Sequence, residues 1–204
     1  GIREVGQAAY GLLPVDSGEV ALPTHNVSIG NPYQALQNRV AYVPKDRDGE
    51  ALMMGASIQN NFCLPSVETL KGRFGFLSPK KLYQASSEAR EQFSVKSTGV
   101  DQLMRALSGG NKQKVNLGRW LIKDLDVLIV DCPTRGVDIG VKAYIYQCLR
   151  EAKEKGMAIL LITDELSEVL GMADTIAVMK DGEICKLLPR SAELSEETII
   201  EVMT

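Results

Sequence analysis

Apolar positions along the chain change their period several times, and each change predicts an element. Between Arg3 and Leu13, the residues Val5, Ala8, Ala9 and Leu12 recur at three- and four-residue spacing before Pro14 and the turn Asp16-Ser17-Gly18. That pattern predicts a helix already under way at the first residues. Arg39 to Pro44 (RVAYVP) reads as a short strand, and the polar stretch Lys45 to Gly49 as a loop at its carboxyl end, where ligand-binding loops tend to sit. From about Ser57 to Arg105 the pattern turns helical and more polar, with Ser78-Pro79 supplying an N-cap and first-turn proline for a helix reaching about Gln92. Strand and helix signals then alternate: helix Asn111 to Lys123, strand Val127 to Val130, helix Val141 to Lys155 closed by Gly156, strand Met157 to Ile162, helix Glu165 to Gly171, strand Ile176 to Met179. Such alternation predicts βαβ units and a mostly parallel sheet, with the stretch 57–105 as a small helical subdomain. The turn Lys180-Asp181-Gly182-Glu183 predicts a hairpin, and Ser195 caps a last short helix with Glu196 and Glu197 in its first turn.

Composition narrows this picture only slightly. The 204 residues, 45% apolar and 24% charged, predict a soluble single domain that needs no metal or disulfide staple. With 23 Lys and Arg against 26 Asp and Glu, the formal net charge is −3, which argues against a free-standing nucleic-acid binder. The longest apolar runs, Met157 to Ile162 and Val127 to Val130, fall far short of the ~20 residues a membrane helix needs and suit buried strands. Cys63, Cys132, Cys148 and Cys185 stand in no metal-ligand spacing, so reduced thiols are expected. The single histidine, His25, lies in a Pro-Thr-His-Asn loop and reads as solvated surface. No signal sequence opens the chain, and Gly1-Ile2-Arg3-Glu4 reads as the start of a piece of something longer.

Two stretches carry chemistry. Leu107-Ser108-Gly109-Gly110-Asn111-Lys112-Gln113-Lys114-Val115 places a serine and two glycines directly before an amphipathic helix. Unpaired amides, a positive dipole end and the absence of side chains at the glycines suit a phosphate, although a bare Ser-Gly-Gly is more often only a capped helix. Val127-Leu128-Ile129-Val130-Asp131 ends an apolar strand in a carboxylate, placed to hold a magnesium-bound water beside nucleotide phosphates. A tight connection, Pro133-Thr134-Arg135-Gly136-Val137-Asp138, leads into the next helix.

Taken together, LSGGNKQKV, VLIVD, PTRGVDIG and ITDELSEVLGMADTIAVMKDGEI resemble an ATP-binding-cassette (ABC) ATPase domain, an α/β fold of the P-loop NTPase type. NKQKV with Arg119-Trp120-Leu121, and PTRGVDIG with GVKAYIY, resemble most the second, C-terminal cassette of ATPases serving bacterial monosaccharide importers of the ribose, galactose and xylose type. The resemblance covers essentially all of residues 1–204 and implies a cassette whose first strand and phosphate loop would precede Gly1. It implies that the signature residues Ser108, Gly109, Gly110 and Gln113, with Asp138 of the D-loop, touch ATP held by a partner cassette. It also implies Asp131 as the Walker B carboxylate toward Mg2+.

Against that pattern several positions carry different chemistry. Cys132 stands where the general-base glutamate is expected, and a thiol is a poor substitute for a carboxylate base. Asp164 takes the switch-histidine position and Lys45 that of the Q-loop glutamine. Gly1 aligns with the last glycine of the phosphate loop, which puts Ile2 at the lysine position and Arg3 at the Ser/Thr position. The resemblance therefore implies a catalytically degenerate nucleotide-binding domain. Its partners would be an N-terminal cassette, membrane permease subunits and, indirectly, a periplasmic or lipid-anchored sugar-binding protein, at the cytoplasmic face of the membrane and without nucleic acid. A lone Cys132 reads as a small buried side chain, and Met53-Met54 as core or as an apolar contact for a permease. The alternatives are an active homodimeric ATPase, a nucleoside importer, a DNA-repair ATPase and a permease-interaction module that does not bind nucleotide.

Overall fold

The computed structural model describes residues 1–191 and 194–203. Nine helices of the α type and seven strands follow one another among these residues, and contacts divide the chain into two units. Unit 1 comprises Gly1–Tyr42, Asp126–Pro133 and Cys148–Thr204; unit 2 comprises Val43–Leu125 and Thr134–Gln147.

Unit 1 opens with helix α1 (Ile2–Ala9), shorter than the predicted span to Leu13. Gly11 at φ +78 ends it, where a Cβ would sit 2.6 Å from the Asn31 backbone. A two-residue hairpin, β1 (Ala21–Leu22) with β2 (Val27–Ser28), and helix α2 (Pro32–Gln37) follow; neither was expected from periodicity. Asn31 caps α2 by accepting a 2.9 Å bond from Gln34 N. Strand β3 (Val40–Val43), buried at every position, reaches the unit boundary.

The sheet order is β3, β4 (Val127–Asp131), β5 (Ala158–Ile162), with β4 and β5 parallel and Asp131 opposite Ile162. Strand β4 is buried from Leu128 onward, as the apolar run predicts. Strand β5 departs from expectation: it starts at Ala158 instead of Met157, and only Ile162 is buried, with Leu160 38% exposed. It stands last in the sheet order, so one side of it lacks a strand neighbour among the described residues. One core gathers Ile29, Ala35, Val40, Tyr42, Ile129 and Ile162. A second cluster forms around Ile176, Val178 and Ile199, joining α8 (Leu166–Met172), the hairpin β6 (Thr175–Lys180) with β7 (Glu183–Pro189), and α9 (Glu196–Met203). Ser195 Oγ accepts a 3.3 Å bond from Thr198 N, the expected cap of α9.

Unit 2 holds helices α3 (Ile58–Cys63), α4 (Val67–Leu70), α5 (Pro79–Gln92) and α6 (Gly109–Leu121), and the predicted stretch 57–105 falls inside it. Phe62, Ile58, Met104, Leu117 and Val115 are almost completely buried, and Phe62 stacks on Phe93 with centroids 6.4 Å apart. Gly118 makes room for that pair, since a Cβ there would lie 2.6 Å from Phe93 Cδ2. Ser78 precedes Pro79 of α5 as predicted but makes no side-chain capping bond. The Lys45–Gly49 region is not wholly irregular: Arg47–Ala51 forms one wide helical turn started by Asp46, whose carboxylate accepts from Gly49 N at 3.0 Å. Helix α7 (Ile139–Glu154) spans residues of both units.

Candidate functional site

In unit 1 the carboxylate of Asp131 closes β4 at 1% exposure. Burying a charge there requires partners, and two are supplied. Tyr42 OH donates to Asp131 Oδ2 at 3.3 Å, and Arg3 Nε lies 3.6 Å from the same oxygen. Burial first, and the adjacent Asp131 charge second, push the Tyr42 phenol up to about 12. Tyr42 is held in turn by stacking on Tyr10 at 5.7 Å. Helix α1 can bring Arg3 over the strand end because Gly6 lies against Ile162, Ile129 and Tyr42, with no room for a side chain.

Cys132 follows Asp131 with φ +46, 5% exposed, its amide donating to Ile162 O at 2.8 Å. Holding a non-glycine residue in the left-handed region costs about 1 kcal/mol. The thiol is thus a small buried group, as expected. Asp164 is exposed after β5, beside Thr163, whose hydroxyl accepts from Glu165 N at 3.1 Å. Among the described residues no group of three His, Cys, Asp or Glu side chains could hold a metal ion. Asp131 belongs to no such group among the described residues and has the Arg3 guanidinium 3.6 Å away, an arrangement that does not by itself fit a divalent cation. His25 is not simply solvated: Nε2 lies 2.6 Å from Asp126 Oδ2 and Nδ1 3.4 Å from Asn38 Oδ1, while Arg39 Nη2 bonds the other Asp126 oxygen at 3.0 Å.

In unit 2 the amino end of α6 has the opposite character. Ser108 is its N-cap, and Ser108 Oγ accepts from Asn111 N at 3.5 Å and from Asn111 Nδ2 at 2.9 Å. Asn111 is fixed by accepting from Lys96 N at 2.8 Å. Both acceptor positions of the hydroxyl are therefore used, and its proton is left to donate outward. The amides of Gly109 and Gly110 open the helix without intrahelical partners. Arg47 reaches over this end, its Nη2 at 2.9 Å from where a Gly109 Cβ would stand, and Nη1 donates to Arg135 O at 3.3 Å. Lys112 pairs with Asp48 at 2.8 Å.

Gly110 is required by packing as well: a Cβ there would meet Val141 Cγ2 at 2.7 Å. Exposed Asp138 accepts from Val141 N at 2.9 Å and so caps the first turn of α7. Gln113 is 4% exposed and turned inward, so of the predicted set Ser108, Gly109, Gly110 and Asp138 are accessible and Gln113 is not. Arg47 is the residue that sequence reasoning missed; an arginine two positions after Lys45 gave no spacing signal. Met53 is 38% exposed, its amide and carbonyl both bonded to the Asn61 side chain at 2.9 and 3.1 Å.

Comparison with known proteins identifies the family and the fold. A family model described as ABC transporter matches residues 6–135. The ribose import ATP-binding protein RbsA of Lactococcus lactis subsp. lactis is 37% identical over 204 residues, all of this chain and 41% of that protein. RbsA of a Bacillus cereus strain is 35% identical over the same length, again 41% of its own chain. The chain thus spans about two-fifths of these relatives. Among solved structures, a nucleotide-free ATP-binding cassette from an ABC transporter superposes with a TM-score of 0.79 at 21% identity, covering 99% of this chain and 83% of that one. A dimeric post-hydrolysis cassette bound to ADP and Pi superposes with a TM-score of 0.78 at 18% identity, covering 93% and 80%. At these identities the structural likeness establishes the fold, an α/β ABC cassette with a parallel sheet.

Proposed function

The chain belongs to the ABC transporter family, and from that premise we propose that it is the degenerate half of a cassette pair in a bacterial monosaccharide importer. The reading makes residues 1–204 one cassette domain with a helical subdomain at about 57–105, resembling the second cassette of such ATPases. Its relatives named as ribose import ATP-binding proteins support the transported class, and their greater length leaves room for a first cassette in the same polypeptide. Permease subunits, and through them a sugar-binding protein, are the partners, and the cassette works at the cytoplasmic face of the membrane. Among the described residues no helix is long and apolar enough to cross a membrane.

One observation carries the reading: Asp131 already faces Arg3 and Tyr42, while the amino end of α6 brings the Ser108 cap and the first-turn amides beside the Arg47 guanidinium. In a cassette pair the open end faces the γ-phosphate of ATP on the partner cassette, which also holds Mg2+. Ser108 Oγ–H and the amides of Gly109 and Gly110 donate to that phosphate, and Arg47 adds positive charge. Asp138 fixes the first turn of α7 beside them. Phosphoryl transfer is catalysed almost entirely by positioning and charge stabilisation, so these donors act on the partner's reaction without any base from this chain. At its own site Cys132, Ile2 and Arg3 replace the base, the lysine and the magnesium hydroxyl.

The test is magnesium-dependent ATP hydrolysis by this chain alone, against Ser108→Arg as blank. The two should be indistinguishable; clear turnover by the chain would overturn the degenerate reading.

A further inference from the structure

Between Glu68 and Glu88 the sequence carries no acidic residue but holds Lys71, Arg73, Lys80 and Lys81, in a chain whose net charge is −3. Phe74, Phe76, Leu77 and Tyr83 interleave with those cations and are 84%, 77%, 39% and 56% exposed. Both facts fall on one stretch of unit 2, from the end of α4 through a loop into the second turn of α5.

The loop holds its own shape. Gly72 N donates to Phe76 O at 2.8 Å and Gly75 N to Gly72 O at 3.1 Å, closing a tight turn across Arg73–Gly75. Phe74 stands at φ +66, a left-handed conformation that an aromatic residue rarely adopts, and Gly75 follows at φ +79. The turn therefore presents the rings outward although burial would favour them inward. Arg73 is the ring partner of Phe74, its guanidinium 5.3 Å from the centroid.

The charges are also placed against local preference. Lys80 and Lys81 lie in the first turn of the 14-residue helix α5, at the positive end of its dipole and without an acidic residue there to compensate. Lys71 pairs with Glu68, whereas Arg73, Lys80 and Lys81 make no ion pair among the described residues. Cations without an ion pair, two of them at a helix start, beside rings turned to solvent point to a function outside the fold.

We propose that the loop Lys71–Tyr83 is a membrane-surface contact that seats Phe74, Phe76 and Leu77 among the headgroups of an anionic bilayer while Arg73, Lys80 and Lys81 pair with lipid phosphates. Aromatic rings are favoured at headgroup depth, and basic residues beside them are drawn to an anionic leaflet. Charge complementarity and exposed apolar tips on one turn select this occupant. A nucleic acid would meet an acidic molecule elsewhere, and an apolar protein groove would strand the three cations. The inference is independent of the nucleotide chemistry above.

The experiment is co-sedimentation of the chain with phosphatidylcholine vesicles containing roughly 30 mol% phosphatidylglycerol, against phosphatidylcholine alone. Binding should need the anionic lipid, weaken with added salt, and fall roughly tenfold or more in Lys80→Gln/Lys81→Gln. Phe74→Ser/Phe76→Ser should lower it comparably, and both double variants should melt like the parent because every altered side chain is exposed. A tryptophan placed by Phe76→Trp should shift its emission to the blue on anionic vesicles. Equal binding to neutral vesicles, unchanged binding of either double variant, an unshifted tryptophan, or binding of polyuridylate or polyglutamate at lower concentration than vesicles would each overturn the proposal.

Discussion

Asp131 and Ser108 are the two polar groups proposed for nucleotide chemistry, and their surroundings differ: the carboxylate faces an arginine and a phenol, whereas the serine caps a helix whose first amides have no intrahelical partner. A half-exposed arginine and a buried phenol answer the carboxylate at 3.6 and 3.3 Å. The Ser108 hydroxyl has its lone pairs filled by Asn111 and its proton free, and the amides of Gly109 and Gly110 point away from the helix. On the proposed reading, the first motif persists at a site that has become structural and the second remains available for a ligand. The difference lies in the partners of each polar atom, which the motif alone does not reveal.

The comparison breaks most visibly at the signature end. If the proposed pairing of cassettes holds, Gly109→Asp puts a carboxylate among the donors proposed to meet phosphate, beside Arg47, and in the full-length protein it should cut ATP hydrolysis by roughly 100-fold or more; steady-state ATPase measurement checks it. Next in size is an effect on folding. Arg3→Gln removes the guanidinium that lies 3.6 Å from the buried Asp131 carboxylate, leaving the Tyr42 hydroxyl to donate to it, and should cost about 1–3 kcal/mol of stability in urea unfolding. Gly110→Ala drives a methyl against Val141 Cγ2 and should cost a comparable ~1–3 kcal/mol. The degenerate reading further predicts that Cys132→Glu leaves hydrolysis by the chain alone at background, because on that reading Ile2 and Arg3 offer no phosphate lysine or magnesium hydroxyl; the same ATPase measurement checks it.

The smallest effect is a pH slope. The fold holds the Tyr42 proton up to about pH 12, whereas the unfolded chain releases it near 10. The folded state binds more protons in that window, so stability falls as pH rises from about 10 to about 12. Tyr42→Phe should flatten that limb in thermal melts across the window.

Much of the fold was legible because burial imposes period. Val127 to Val130 could only be a buried strand, and α6 and α7 follow from their amphipathic spacing and caps. The short hairpin Ala21–Ser28 escaped because two-residue strands carry no period, although Asn31-Pro32 was a readable start for α2. Strand β5 was misjudged as buried because an apolar run reports what a strand can pack against, not whether a neighbour lies beside it. In the site, the identities of Ser108, Asp131 and Cys132 were readable, but their partners were not. Arg3 with Asp131 and Arg47 with Gly109 join residues more than 60 positions apart, and pairings over such separations follow from topology. His25 illustrates the same limit: its loop predicted solvent, and its fold supplied Asp126.

The most direct test of the proposed reading sets the two sites against each other in the full-length protein, by measuring ATP turnover of Ser108→Arg and of Asp131→Asn at saturating ATP and Mg2+. The account predicts that Ser108→Arg loses hydrolysis while Asp131→Asn keeps most of it. Retained turnover in Ser108→Arg, or its loss in Asp131→Asn with the fold intact, would contradict it.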